Sequence, residues 1–138
     1  MDVSYKSLLK NVRCFVFDVD GVMTDGSLVV MPGELYRIMN IRDGYAISEA
    51  VKSGYQLFVI SGGSSESVRQ RLERLGVKEI HLGVSNKSEV LLSLLSNHGI
   101  RHEEVLYMGD DLPDFEVIQH AGVRACPKDA VPEIKALC

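Results

Sequence analysis

The sequence predicts an α/β fold built on a mainly parallel sheet. Short apolar runs rich in Val, Ile and Phe alternate with longer segments of helical period, and no Pro/Gly/Ser-rich linker, repeat or low-complexity tract separates them. Its 138 residues, 46% hydrophobic and 25% charged, suit a single domain over 1–138. Cys14-Phe15-Val16-Phe17 reads as a fully buried first strand, since a strand covered on both faces has no polar alternation. Gln56 to Ile60, Glu79 to Leu82, Val105 to Met108 and Val123 to Ala125 follow as strands two to five. Between them, Ala46/Ile47/Ala50/Val51, Val68/Leu72/Leu75, Val90/Leu91/Leu94/Leu95 and Phe115/Val117/Ile118 recur at helical spacing, and Val131 to Leu137 closes the chain similarly. One stretch breaks the alternation. Ser27 to Met31 and Leu35 to Met39 flank Pro32-Gly33-Glu34, which predicts a β-hairpin inserted over about 27–39 and projecting beside the strand ends.

Composition excludes several function classes. A formal net charge of -4 argues against a nucleic-acid partner, which requires a basic face. Cys14, Cys126 and Cys138 are odd in number, far apart and form no C-x-x-C, so neither a disulfide framework nor a zinc site is expected. No apolar run reaches the ~20 residues that span a membrane, and the N-terminus lacks a signal-peptide pattern, so a cytoplasmic protein is expected. The four histidines have neither triad nor metal spacing.

In an open α/β sheet, ligands bind beyond the carboxyl ends of the strands, so the residues directly after each strand should carry the chemistry. The first strand ends in Asp18-Val19-Asp20-Gly21-Val22, the second in Ser61-Gly62-Gly63 and the fourth in Gly109-Asp110-Asp111-Leu112-Pro113-Asp114. Lys87 lies beyond the third, at the start of a helix that Asn86 and Glu89 could close as a capping box. So many acids at one crevice require a divalent cation, and an all-oxygen donor set points to Mg²⁺. Asp18 and Asp110 are assigned as carboxylate ligands, with Asp20 adding its backbone carbonyl; Asp111 and Asp114 are assigned to orienting those ligands or bonding water and backbone. With the cation and Lys87 neutralising an incoming phosphate, Asp18 is expected to attack phosphorus. Asp20, protonated on arrival, would donate to the leaving oxygen and then take a proton from the hydrolytic water. Gly21 would let backbone approach the phosphate, and the Ser61 hydroxyl and neighbouring amides, with Gly62, would bond its oxygens. Taken singly, Asp-x-Asp is commonly a turn, Ser61 a turn residue and Lys87 a solvated charge, and the four-part order is what joins them; Arg71 lies outside that order and reads equally as part of a charged helix surface.

These four ordered segments resemble the motifs of the haloacid dehalogenase superfamily. Asp18 to Gly26, Asn40-Ile41-Arg42-Asp43-Gly44-Tyr45, Ser85-Asn86-Lys87 and Tyr107 to Pro113 further resemble its capless subgroup, which contains the 3-deoxy-D-manno-octulosonate 8-phosphate phosphatases. The resemblance implies a Rossmann-like three-layer sandwich without a cap domain and a Mg²⁺ cofactor. It also implies a homotetramer in which one subunit's hairpin covers its neighbour's site, and a phosphorylated acidic sugar as substrate. Asn40, Arg42, Asp43 and Gly44 would then lie near the sugar, with Arg71 a candidate for its carboxylate or for the neighbouring subunit. The Arg42-Asp43-Gly44 run favours the octulosonate over the related nonulosonate 9-phosphates, and the resemblance implies lipopolysaccharide sugar synthesis in a Gram-negative bacterium. Two departures stand out: Gly63 occupies a position that is commonly arginine, and the subgroup's glycine-rich C-terminal tail is absent from these 138 residues. A non-catalytic phosphatase-like oligomerisation domain and a phospho-accepting receiver domain are the alternatives. The intact Asp18, Asp20, Lys87 and Asp110 oppose the first, and Asp-x-Asp-Gly with a late Gly-Asp-Asp opposes the second.

Overall fold

A computed structural model describes residues 3–138. Five parallel strands form the main sheet in the order β5-β4-β1-β6-β7: β1 is Cys14–Phe17, β4 Gln56–Ile60, β5 Glu79–His81, β6 Val105–Met108 and β7 Val123–Ala125. After β1 the chain winds outward through β4 to β5, then returns to the other side of β1 for β6 and β7. The strand order therefore reverses at β1, which opens a crevice at its carboxyl end. The helices are α1 (Tyr5–Leu9), α2 (Ile41–Lys52), α3 (Glu66–Arg74), α4 (Lys87–His98) and α5 (Pro132–Lys135).

Side-chain alternation divides the interior into two cores. Cys14, Val16, Phe58, Ile60, Val105 and Tyr107 point to one face, where they meet Leu91, Leu94 and Leu95 of α4 and Ile134 of α5. Leu57, Val59 and Ile80 point to the other, against Ile47 of α2 and Val68 and Leu72 of α3. The result is three layers. Phe15 and Phe17 are only half-buried, contrary to a fully buried first strand. They face an open apolar groove of about 330 Å³ between β1 and α2, where Ala46 and Ala50 are too small to fill the space.

Each major helix starts on a side-chain cap. Asn40 accepts from the N–H groups of Arg42 and Asp43, Ser65 from that of Val68, and Asn86 from that of Glu89. For α4 the Asn86 half of the expected capping box forms. Gly99 ends the same helix in the left-handed conformation, φ 64°.

Two further expectations need correction, and one helix was not expected. The hairpin strands are shorter than predicted, β2 being Val29–Met31 and β3 Glu34–Tyr36. Glu34 pairs with Met31, so the turn is Pro32-Gly33 alone: proline presets the first dihedral, and Gly33 supplies the φ of 91° that two residues need to reverse the chain. The segment around Phe115/Val117/Ile118 is not one helix but two 3₁₀ turns, Leu112–Asp114 and Val117–His120. It must carry Asp114 back beneath β6 and then bury Val117 and Ile118, which leaves Phe115 exposed. The sequence reading placed no helix at Tyr5–Leu9, and α1 buries no residue that could have given it a periodic stripe.

Candidate active site

At the reversal point β1 lies between β4 and β6, so Asp18, Ser61 and Gly109-Asp110 emerge together. The Asp18 N–H donates to the Met108 carbonyl at 3.2 Å and the Ser61 N–H to that of His81 at 2.9 Å, carrying the ladder one residue past the strands. Carboxylate oxygens of Asp18, Asp110 and Asp114 lie within 4.8 Å of one another. Lys87, the first residue of α4, is buried among them, with Nζ 3.2 Å from Asp18 Oδ2 and 2.8 Å from Asp114 Oδ1. The other Asp18 oxygen accepts from the Val19 N–H at 2.7 Å. Asp114 is wholly buried: Oδ1 also accepts from the Tyr107 hydroxyl at 2.8 Å, and Oδ2 accepts from the Asp110 N–H at 3.2 Å. It thereby fixes both the lysine and the backbone that presents Asp110.

The electrostatics follow from crowding acids in a buried place. Burial pushes Asp18 up to about 7, with the Asp114 charge adding to the shift and Lys87 opposing it. Burial, then Asp114 and Asp111, raise Asp110 to about 6. Burial pulls the Lys87 ammonium down, but the charges of Asp18 and Asp114 more than offset it and hold the group above its usual range. These are the surroundings that a hard divalent cation relieves, and the donors offered are all oxygen. Gly21 is shaped to the same purpose: its φ is 82°, and a Cβ there would fall 1.8 Å from Asp110 Oδ2.

The remaining predicted residues divide by what they touch. Asp20 is held by a residue that the sequence reading did not single out: Arg37 donates from Nε to Oδ1 at 2.8 Å and from Nη2 to Oδ2 at 3.2 Å. Ser61 is buried, and its hydroxyl accepts from the Gly63 N–H at 3.3 Å. Gly62 is not sterically required, because a Cβ would meet only the Val84 carbonyl at 3.7 Å, whereas a Cβ at Gly63 would crowd Arg37 and Asp20. Asp111 is exposed and caps the 3₁₀ turn through Leu112 N–H. Asn40 spends its carboxamide oxygen on capping α2, and Arg42 and Asp43 are exposed. Among the described residues no side-chain hydrogen bond joins these three to Asp18, Asp20 or Lys87. Gly44 is buried under Arg71, whose Nη2 would lie 2.6 Å from a Cβ at that position.

Two further residues escaped the sequence reading. Tyr107 reads as strand core, although a phenol at an inward-facing position among apolar neighbours always needs a partner, and that rule could have exposed it. Glu34 accepts from the Ser65 and Ser67 hydroxyls at 2.9 and 3.0 Å, tying the hairpin to the start of α3, and nothing in its local sequence signals a contact 31 residues away.

A buried acid cluster with a lysine at the reversal point of a capless parallel sheet defines a class. A family model described as haloacid dehalogenase-like hydrolase matches residues 34–127, more than half of the chain, and the protein belongs to that family. Among curated relatives, it is 38% identical over 125 residues to the 3-deoxy-D-manno-octulosonate 8-phosphate phosphatase KdsC of Escherichia coli K12; the match covers 89% of this chain and 66% of that protein. Among solved structures, the phosphatase of that name from Yersinia pestis superposes with a TM-score of 0.92 at 32% identity, over 96% of this chain and 72% of the other. The Moraxella catarrhalis enzyme, in complex with magnesium ion, phosphate ion and KDO, superposes at 0.90 with 30% identity, over 94% and 75%.

Proposed function

We propose that this chain is a phosphomonoester hydrolase that works through an aspartyl-phosphate, with 3-deoxy-D-manno-octulosonate 8-phosphate as its substrate. The observation that carries the reading is the juxtaposition of Asp18 with Lys87 and Asp110, delivered from the end of β1, the start of α4 and the loop after β6. The likeness to the KdsC enzymes supports the choice of sugar, and the Arg42-Asp43-Gly44 run agrees with it.

Asp18, Asp110 and the Asp20 carbonyl would hold Mg²⁺, which when bound offsets the acid cluster and the charge of the phosphate oxygens. Lys87 adds a fixed positive charge beside the nucleophile. An Asp18 carboxylate oxygen bonds phosphorus as the bond from phosphorus to the sugar oxygen breaks, and Asp20 gives that oxygen its proton. A water then transfers its proton back to Asp20 as it attacks phosphorus, which frees Asp18 and releases inorganic phosphate. The Ser61 hydroxyl, just after β4, would bond a phosphate oxygen.

The hairpin supports a multimer, proposed here as a tetramer: Val29, Val30, Met31, Leu35, Tyr36 and nearby Ile38 leave 40–79% of their surface exposed, more apolar area than a free hairpin normally presents. No helix among the described residues is long and apolar enough to cross a membrane.

The test is Mg²⁺-dependent phosphate release from the octulosonate 8-phosphate, a nonulosonate 9-phosphate and simple hexose phosphates. Preference for the octulosonate, lost in Asp18→Asn with the circular-dichroism spectrum unchanged, is expected. Preference for another sugar overturns the substrate, and full activity in Asp18→Asn overturns the mechanism.

A further inference from the structure

We infer that Arg37 is a positioning residue of this active site, seated by the hairpin and admitted by Gly63, and that it sets the orientation of the Asp20 carboxyl for proton transfer to and from the reacting oxygens. The inference rests on the proposed phosphatase reading. Three of its bonds fix the guanidinium. Nε and Nη2 take one Asp20 oxygen each, at 2.8 and 3.2 Å, and Nη1 donates to the Leu35 carbonyl of the hairpin at 2.9 Å. A fork that grips both oxygens fixes the plane of a carboxyl group, which a single point charge does not, and it leaves each oxygen a second lone pair through which a proton is carried or taken. The Arg37 side chain is only 5% exposed, whereas that of Asp20 is 36% exposed, so the arginine is the anchored partner and Asp20 the one that faces outward.

Gly63 gives the independent observation. A Cβ at that position would stand 2.6 Å from Arg37 Nη2 and 2.9 Å from Asp20 Oδ2. Any side chain at 63 and Arg37 in its present place exclude each other. This accounts for a glycine at a position whose backbone has no positive φ to require one. The hairpin that supplies Arg37 is itself pinned by Glu34 to Ser65 and Ser67, two residues beyond Gly63 and onward. The piece of chain that holds Asp20 in orientation is thus tied to the start of α3, the segment that follows Gly63.

The test compares kcat/KM, which reports formation of the aspartyl-phosphate, on two esters with Mg²⁺ present. One is the best sugar phosphate, whose leaving oxygen needs a proton; the other is p-nitrophenyl phosphate, whose leaving group departs without one. Arg37→Met and, independently, Gly63→Ala should lower kcat/KM on the sugar phosphate by about tenfold to a hundredfold while p-nitrophenyl phosphate falls about threefold or less, and Arg37→Lys should recover part of the loss. A merely structural role would depress both esters equally. Equal losses, or full sugar-phosphate activity in both Arg37→Met and Gly63→Ala, would overturn the inference while the function stands. A wild-type chain that hydrolyses neither ester would overturn the function and the inference with it.

Discussion

Asp114 shows how much one buried carboxylate can organise. Lys87 and Tyr107 share one of its oxygens, and the Asp110 N–H takes the other. Loss of the lysine would leave two buried carboxylates without their cation, whereas loss of the phenol removes one neutral donor. Lys87→Met is therefore expected to destabilise the Mg²⁺-free protein by about 3–5 kcal/mol and Tyr107→Phe by about 1–2 kcal/mol, as measured by urea unfolding. The reverse order would mean that the lysine is not the main counter-charge. Gly21 allows a second test at this scale. Gly21→Ala combines a φ of 82° with a Cβ in the space of Asp110, so the variant should fold yet show a smaller rise in melting temperature on adding Mg²⁺.

At the scale of elements, the hairpin of β2 and β3 is long on apolar surface and short on intrachain attachment. Among the described residues its side-chain hydrogen bonds to the body are those of Glu34 to Ser65 and Ser67 and of Arg37 to Asp20. Accepting two hydroxyl bonds holds the Glu34 carboxylate below its usual range. Glu34→Ala should raise amide hydrogen exchange in residues 29–36 without changing exchange in β1 or β4. Unaltered exchange in the hairpin would show that other contacts, such as a neighbouring subunit, hold it. The sheet is different: β1 has a strand on both sides and its fate is that of the whole domain.

For the whole molecule, charge balance makes stability depend on pH and on cation. Asp18 and Asp110 are raised from about 3.8 to about 7 and about 6, so the folded chain binds more protons than the unfolded chain between those values. Their contribution is present in full below about pH 4 and disappears as pH rises towards 7. Glu79 and Glu104 are shifted downward, chiefly by hydrogen bonds from His81 and from Arg101, and act oppositely, their stabilisation being lost only in more acid solution. Without Mg²⁺ the melting temperature should fall between pH 5 and pH 8, and Mg²⁺ should raise it by more at pH 8, when both acids are ionised, than at pH 5. A Mg²⁺-induced rise that is equal at the two pH values would mean that these carboxylates are not the cation's ligands.

The sequence by itself determined the sheet, its parallel sense and the clustering of Asp18, Ser61, Lys87 and Asp110, because strand ends and buried runs are local patterns and a parallel sheet brings its carboxyl ends to one edge. It also placed Pro32-Gly33 in a turn. Only the tertiary structure decided what those residues touch. Asp114 is a three-bond strut to Lys87, Tyr107 and the Asp110 N–H, since the chain between β6 and β7 turns it inward. Phe15 and Phe17 are half-buried because Ala46 and Ala50 of the helix above them are too small to fill the groove beside Ile47. Arg37 reaches Asp20 across 17 residues and Glu34 reaches Ser65 across 31, and such pairings are set by where the hairpin lands, which no local periodicity encodes.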